Sequence, residues 1–315
     1  FTKGSADGLL DVCSEILIEG KITKLTSQLK NKIDNANESI ASNGIRVLAV
    51  ESFLADIAQN IAGDRLIVES LIPAAADPHA YQPTTQDVIK ISRADVLIIN
   101  GANLEAFIFP FLKNADGSRL VIQACAGLTP RPDPSGQNPE GDPHFWLDPN
   151  NVIKYSENIR DGFSQADPAG AAHYAGNTQN YIASLRSLDI WIESQVQDIP
   201  PAHRLLVTNH ETLGYFADRY GFRVVGAILP SITSGSAPSA QELVTLITQI
   251  RSSGAPAVFL EIGTNPQLAD QIASETGAKV VSDLYTHSLS APEGPAASYI
   301  EMMRHDVIAI VEALK

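Results

Sequence analysis

From Ile45 onward the sequence alternates two kinds of segment, and this alternation limits the fold more than any other feature. Short runs rich in β-branched and aliphatic residues, "IRVLAV", "RLIVESLI", "DVLIIN" and "RLVIQA", have the length and composition of buried strands. Between them, "FLADIAQNIAG" carries apolar residues at helical spacing and closes on Gly63, and a second helix opens at Pro83-Thr84. Asp87 stands three residues after Thr84, in an acidic variant of the capping box. Strands alternating with helices imply parallel pairing through right-handed crossovers. The second half repeats the grammar. "RLLVTN", "RVVGAI", "AVFLEI" and "KVVSDL" read as strands. "ETLGYFADRY", a segment capped by Ser239 with Glu242 at the box position, and one opened by Asn265-Pro266 read as helices. The expected architecture is α/β, with two lobes of similar size, each built around a parallel β-sheet flanked by helices.

Between the halves, residues 171–198 contain no proline, and Gly176 is their only breaker. Tyr181, Leu185, Leu188, Ile192 and Val196 draw one stripe down a helix. Such a helix would run about 40 Å, longer than one small domain is wide, and would act as a rigid strut rather than a hinge. The reading therefore divides the chain into an N-terminal extension (1–44), an N-terminal lobe (45–168), a linking helix (169–199) and a C-terminal lobe (200–315). Within the extension, "KITKLTSQLKNKIDNANESIASNG" reads as a helix ending at Asn43-Gly44.

A chain of 315 residues can bury two cores. Its net charge of −14 argues against nucleic acid and anionic membrane as partners and suits a cationic ligand. No apolar run has the length of a membrane span. The chain begins at Phe1 without a charged and apolar leader, as expected where a leader has been removed or trimmed. The two cysteines, Cys13 and Cys125, are too few for a disulfide framework; Cys125 reads as a buried thiol and Cys13 as a thiol in a mobile region.

The chemistry is carried by histidine. Of only 7 histidines, two follow the same dipeptide, in "DPHAYQP" and "DPHFWLDP". Proline fixes its own φ and pushes the preceding residue to extended backbone, so Asp-Pro holds the next side chain in a restricted direction. His79 follows a strand at its carboxyl end, where open parallel sheets bind ligands. His210 follows "RLLVTN" directly, and Asp283 lies at the end of "KVVSDL". His144 precedes a helix with Asp148 as cap and Pro149 at its first position. Two candidates thus come from each half, all facing a cleft between lobes. Three imidazoles and one carboxylate complete a tetrahedral shell for a transition metal and leave no open position for a substrate. Glu211 and Glu261 are placed to hold a ligating imidazole in one tautomer. His287 is a candidate accessory ligand, though a mobile-loop residue is the plainer reading. His173, His203 and His305 read as solvated, and Trp146 and the neighbouring tyrosines as packing.

At these residues the chain resembles the metal-binding solute receptors of ABC importers that take up zinc or manganese (cluster A-I). "DPHAYQPTTQD", "DPHFWLDPNNVIKYSENI", "LLVTNHETLGYFADRYGF" and "KVVSDLYTHSLS" are similar to the family's four metal-bearing segments, in the family's order. The resemblance spans Ile45 to Lys315. It implies two α/β lobes joined by one long rigid helix, with the metal held between them by His79, His144, His210 and Asp283. A histidine at the third of these positions goes mostly with zinc in the family, and a glutamate with manganese, so Zn2+ is expected, with Mn2+ the alternative. Many zinc members also carry a His-rich loop before the second ligand, and this chain has no histidine between His79 and His144. The resemblance further implies an extracytoplasmic monomer, in the periplasm or anchored at the cell surface, that delivers its ion to a membrane permease and catalyses nothing.

Two other readings stay in view. A zinc hydrolase would keep three protein ligands and use Glu211 or Glu261 as base; no HExxH occurs in the sequence. A receptor for a metal chelate would need an aromatic-rich cleft, which an aromatic content of 6% disfavours.

Overall fold

The structure is a computed structural model that describes residues 14–18, 21–30, 44–79, 81–112, 119–133, 136, 138–229 and 238–315. Two short strands, β1 (Glu15–Ile18) and β2 (Lys21–Lys24), come first. Two parallel four-stranded sheets organise the chain from Val47 onward. The first half runs β3 (Val47–Ala49), α1 (Ser52–Ala62), β4 (Val68–Ser70), α2 (Thr85–Arg93), β5 (Val96–Ile99), α3 (Phe109–Leu112) and β6 (Leu120–Gln123). Helices α4 (Pro149–Ala166) and α5 (Ala171–Val196) follow. The second half runs β7 (Leu205–Thr208), α6 (Gly214–Tyr220), β8 (Arg223–Ala227), α7 (Ala240–Ser253), β9 (Ala257–Glu261), α8 (Gln267–Thr276), β10 (Lys279–Leu284) and α9 (Tyr299–Leu314). The first sheet is ordered β4-β3-β5-β6 and the second β8-β7-β9-β10. Both therefore place their second strand outside the first and reverse direction beside it, so each sheet has a switch point where a crevice opens at the strands' carboxyl ends.

The sequence cues act as expected at several helix ends. Thr84 and Asp87 form a reciprocal capping box at α2, as do Ser239 and Glu242 at α7. Asp148 caps α4 with Pro149 in its first turn. The helix expected over 21–44 is a strand at its start, while residues 27–30 are helical. Strands β1 and β2 pair antiparallel, with Ile16 opposite Thr23. The alternation in "EILIEGKITK" is of period two and surrounds a glycine, which is hairpin grammar rather than helix grammar. Residues 31–43 of the expected helix, and Cys13, lie outside the described residues; Cys125 is buried beside Gln123.

Helix α5 has 26 residues, a length of about 39 Å at the α-helical rise. Its buried stripe of Tyr174, Tyr181, Leu185, Leu188, Ile192 and Val196 joins side chains of both sheets in one continuous core. Each end is fixed to a different half by a buried carboxylate. Asp167, just before α5, accepts from Arg65 Nη2 at 2.9 Å and from the Tyr174 hydroxyl at 2.7 Å. Asp189 accepts from Arg219 Nε at 3.1 Å and from the Tyr220 hydroxyl at 2.8 Å. The helix is thus packed along its length and bonded at both ends, which leaves it little freedom to bend.

Candidate metal centre

Four imidazoles converge where the carboxyl ends of the two sheets face each other. His79 sits in the loop after β4, His144 in the long connection after β6, His210 directly after β7 and His287 after β10. The repeated tripeptide explains two of these positions. Asp77 Oδ1 accepts the backbone N–H of His79 at 2.8 Å, and Asp142 Oδ1 accepts that of His144 at 3.0 Å. The intervening proline has no N–H to compete, so the aspartate reaches past it to the histidine amide. Asp142 Oδ1 also accepts from the His144 ring at Nδ1, 2.7 Å away. The His210 carbonyl accepts from the Thr208 hydroxyl (2.6 Å) and the Thr212 amide (2.9 Å), which fixes the turn off β7. The segment carrying His287 is held from three sides. Tyr285 N–H donates to Asp306 (2.8 Å), Trp146 Nε1 donates to the Thr286 carbonyl (2.7 Å), and Leu289 N–H donates to the Ser52 hydroxyl (2.9 Å).

The Nε2 atoms meet at one point. His79 Nε2 lies 3.2 Å from His144 Nε2 and 3.2 Å from His287 Nε2, and His210 Nε2 lies 3.3 Å from His287 Nε2. His144, His210 and His287 are 3%, 2% and 6% exposed. Behind them stand carboxylates on the Nδ1 side. Glu261, at the end of β9, lies 3.4 Å from His210 Nδ1 and 3.3 Å from His287 Nδ1. The Thr286 hydroxyl donates to Glu261 at 2.6 Å, so it accepts from His287 Nδ1–H at 2.8 Å. Protons at Nδ1 leave the Nε2 lone pairs of His144 and His287 aimed at the common point.

The electrostatics follow from this packing. Burial, reinforced by the neighbouring His287, His144 and His210, pushes His79 well below the ordinary imidazole value. Burial, opposed by Glu261 and reinforced by His287 and His144, pushes His210 down to about 3. Burial alone would lift Glu261; His210 and His287 outweigh it and hold the carboxyl well below its usual range. Burial likewise disfavours charge on His287, but Glu261 prevails and raises its pKa.

The structure brings His79, His144 and His210 together, places His287 beside them, and sets the fourth residue expected from the sequence apart. Asp283 is set apart from the cluster: its side chain is 61% exposed and lies 3.7 Å from His305 Nε2. The pairing of β10 with β9 slips between Val281 and Leu284, so Ser282 and Asp283 are both turned out to solvent and the chain returns to the core only at Leu284. His287 takes the inward position three residues beyond the strand, a place at which sequence reading favoured a mobile loop. What could have revealed it is the β-strand ending on an inward leucine, followed by a polar turn carrying an imidazole. Glu261 holds the place foreseen for a carboxylate behind an imidazole. Glu211 instead lines the cavity of about 1000 Å3 that opens beside His79, His144 and His210, and burial and the nearby Asp142 raise its pKa. His173 pairs with Asp64 at the surface, and His203 Nδ1 lies 3.1 Å from the Leu314 carbonyl. Trp146 does more than the packing expected of it: its ring stacks on Phe53 at 4.4 Å and lies 5.2 Å from His144 and 5.7 Å from His287, and its Nε1 holds the Thr286 carbonyl.

The chain matches a family model described as zinc-uptake complex component A, periplasmic, over residues 47–313. A second model, P-type ATPase cytoplasmic domain N, matches residues 1–56 only. A manganese-binding lipoprotein, MntA, of Halalkalibacterium halodurans is 30% identical over 89% of this chain and 92% of its own length. An iron-binding protein, YfeA, of Yersinia pestis is 35% identical over 88% of each. Among solved structures, a manganese-bound periplasmic metal-binding protein from candidatus liberibacter asiaticus superposes with a TM-score of 0.78 at 33% identity, covering 86% of this chain and all of its own. These likenesses extend over the two-sheet fold, and the chain belongs to the family of extracytoplasmic metal-binding substrate receptors of ABC importers, which are transport components and not enzymes.

Proposed function

We propose that the protein captures one divalent transition-metal ion through Nε2 of His79, His144, His210 and His287 and delivers it to a membrane permease. One observation carries this reading: three Nε2-to-Nε2 distances of 3.2–3.3 Å inside a buried cluster. Four donors about 2.0–2.1 Å from a tetrahedral ion are separated by about 3.3 Å, the edge of that tetrahedron. Without a cation the arrangement is poor, because a single proton on His79 could satisfy only one of its two close contacts. Four protein donors complete the shell, so the site serves capture and leaves no position for an activated water.

Zinc is the ion this donor set suits best. Imidazole favours zinc, iron, nickel and copper, whereas manganese prefers carboxylate, carbonyl and water oxygens. Glu261 does not compete as a donor, since it sits on the Nδ1 side of two rings. The named relatives bind manganese and iron, so the metal is decided by competition. Purified protein should hold one equivalent of zinc by elemental analysis, and a hundredfold excess of Mn2+ should not displace it. Displacement by manganese at equal concentration would assign manganese instead. The working unit is a monomer of two lobes, 45–168 and 200–315, joined by the 169–199 strut, with 1–44 as an extension; light scattering of the metal-loaded protein at one chain mass is the check. The strut fastened at both ends implies release by displacement of a ligand loop rather than by rotation of whole lobes.

A further inference from the structure

We propose that Arg131 is a positioning residue for His144, tying the loop that carries this imidazole to the opposite lobe. The proposal rests on the reading of the histidine cluster as a metal site. Three separate observations meet at Arg131.

The first concerns charge. Asp142 is 2% exposed and uses one carboxylate oxygen, Oδ1, for both the amide and the ring of His144. Its other oxygen, Oδ2, is buried without a hydrogen bond among the described residues, as is Arg131 Nε. These two atoms face each other at 3.7 Å. A buried carboxylate needs a compensating cation, and among the described residues this guanidinium is the one paired with it.

The second concerns connection. Arg131 Nη1 pairs with Asp218 on α6, a helix of the other lobe. The Arg131 amide donates to the Tyr215 hydroxyl at 2.9 Å, that hydroxyl donates to the Asp142 carbonyl at 2.8 Å, and the Asp142 amide donates back to the Arg131 carbonyl at 2.9 Å. The guanidinium carbon lies 5.7 Å from the centroid of the Tyr215 ring. A chain of contacts thus runs from Asp218 through Arg131 and Asp142 to Nδ1 of His144.

The third concerns space. Gly214, the first residue of α6, abuts this pair: a Cβ there would come within 2.8 Å of Arg131 Nε and 3.0 Å of Asp142 Oδ2. Gly141 at φ +90° lets its backbone approach the Arg131 carbonyl, where a Cβ would sit 2.4 Å away. Two glycines therefore keep room for the contact. Arginine suits the place because one planar group reaches two carboxylates on different lobes, which a lysine ammonium does not do.

The test uses full-length protein with Arg131→Gln, Arg131→Lys and Asp218→Asn, and two probes, Zn2+ alone and Co2+ alone. Zinc affinity is read by competition with a chromophoric chelator, with the dissociation rate measured separately, and Co2+ coordination by visible absorption. Loss of a group that orients a metal-bound imidazole typically lowers affinity 10–100-fold. Arg131→Gln should show at least a tenfold loss, expressed in the dissociation rate, with a changed Co2+ band. Arg131→Lys should recover part of it, and Asp218→Asn, which leaves the guanidinium in place, should fall between wild type and Arg131→Gln. Wild-type affinity and an unchanged Co2+ spectrum in Arg131→Gln would overturn the proposal, as would equal losses in the Gln and Lys variants. A wild-type protein that binds neither ion would overturn the metal-site reading beneath it instead.

Discussion

Replacing Glu261 by glutamine would remove the one negative charge that stands behind two of the four imidazoles while preserving the shape of the side chain. Its Oε1 lies 3.4 Å from His210 Nδ1 and 3.3 Å from His287 Nδ1. The size of the effect can be worked in two ways. Losing the partner of one ligating histidine costs about 10–100-fold in metal affinity, so losing it for two rings costs about 10²–10⁴-fold. Alternatively, a carboxylate across an imidazole ring is about 7 Å from the ion, and a dication at that distance interacts by about 5 kcal/mol at an effective dielectric of 20, close to the upper end of the first figure. The carboxamide oxygen can still accept the Thr286 hydroxyl, so the polar contact on which Glu261 is centred survives and the fold should hold. Chelator competition with Zn2+ at neutral pH, alongside thermal melts of the metal-free protein, measures the loss. A Glu261→Gln protein that binds zinc within threefold of wild type would refute the argument that this carboxylate supports the site.

Other expectations follow from the same geometry. His287→Ala should weaken zinc binding by more than about 100-fold, since it removes a donor rather than a partner of one, whereas Asp283→Ala should leave affinity within twofold; titration of both variants separates the two residues. The metal-free protein should lose stability on acidification. His79 and His210 are held below their unfolded values, so the unfolded chain binds more protons, and stability falls as pH drops from about 6.5 toward about 3, which urea melts at stepped pH will show. Metal affinity should fall over the upper part of the same range, because protons compete for the donor nitrogens. Asp167→Ala should cost about 2–3 kcal/mol in urea unfolding, less than a fully buried pair because Arg65 is partly exposed, by stranding Arg65 and the Tyr174 hydroxyl at the start of the strut.

The parts of this fold that were legible in the sequence are those in which local chemistry and global packing agree. β-Branched runs became strands, Thr84 with Asp87 and Ser239 with Glu242 became capping boxes, and the stripe from Tyr181 to Val196 became the buried face of α5. His79, His144 and His210 could be read because each follows a strand or a stiff Asp-Pro pair whose backbone direction is fixed locally. Asp283 and His287 could not be told apart in this way. Which of them faces inward depends on where the pairing of β10 with β9 slips before Leu284 returns to the core, and on Trp146, Asp306 and Ser52 catching the following turn. Those three come from distant parts of the chain and leave no trace in the local sequence. The β1–β2 pairing is hard to read locally because each strand has only four residues. Arg131 carries no motif, and its place is visible only once α6 lies beside the His144 loop.

The central claim is that four imidazole nitrogens, and no carboxylate oxygen, surround one ion. X-ray absorption at the zinc K-edge of the metal-loaded protein measures this directly. The account predicts a single shell of four nitrogens at about 2.0 Å, with the outer-shell scattering of four imidazole rings. A shell containing a carboxylate oxygen, or scattering from three rings or fewer, would contradict it.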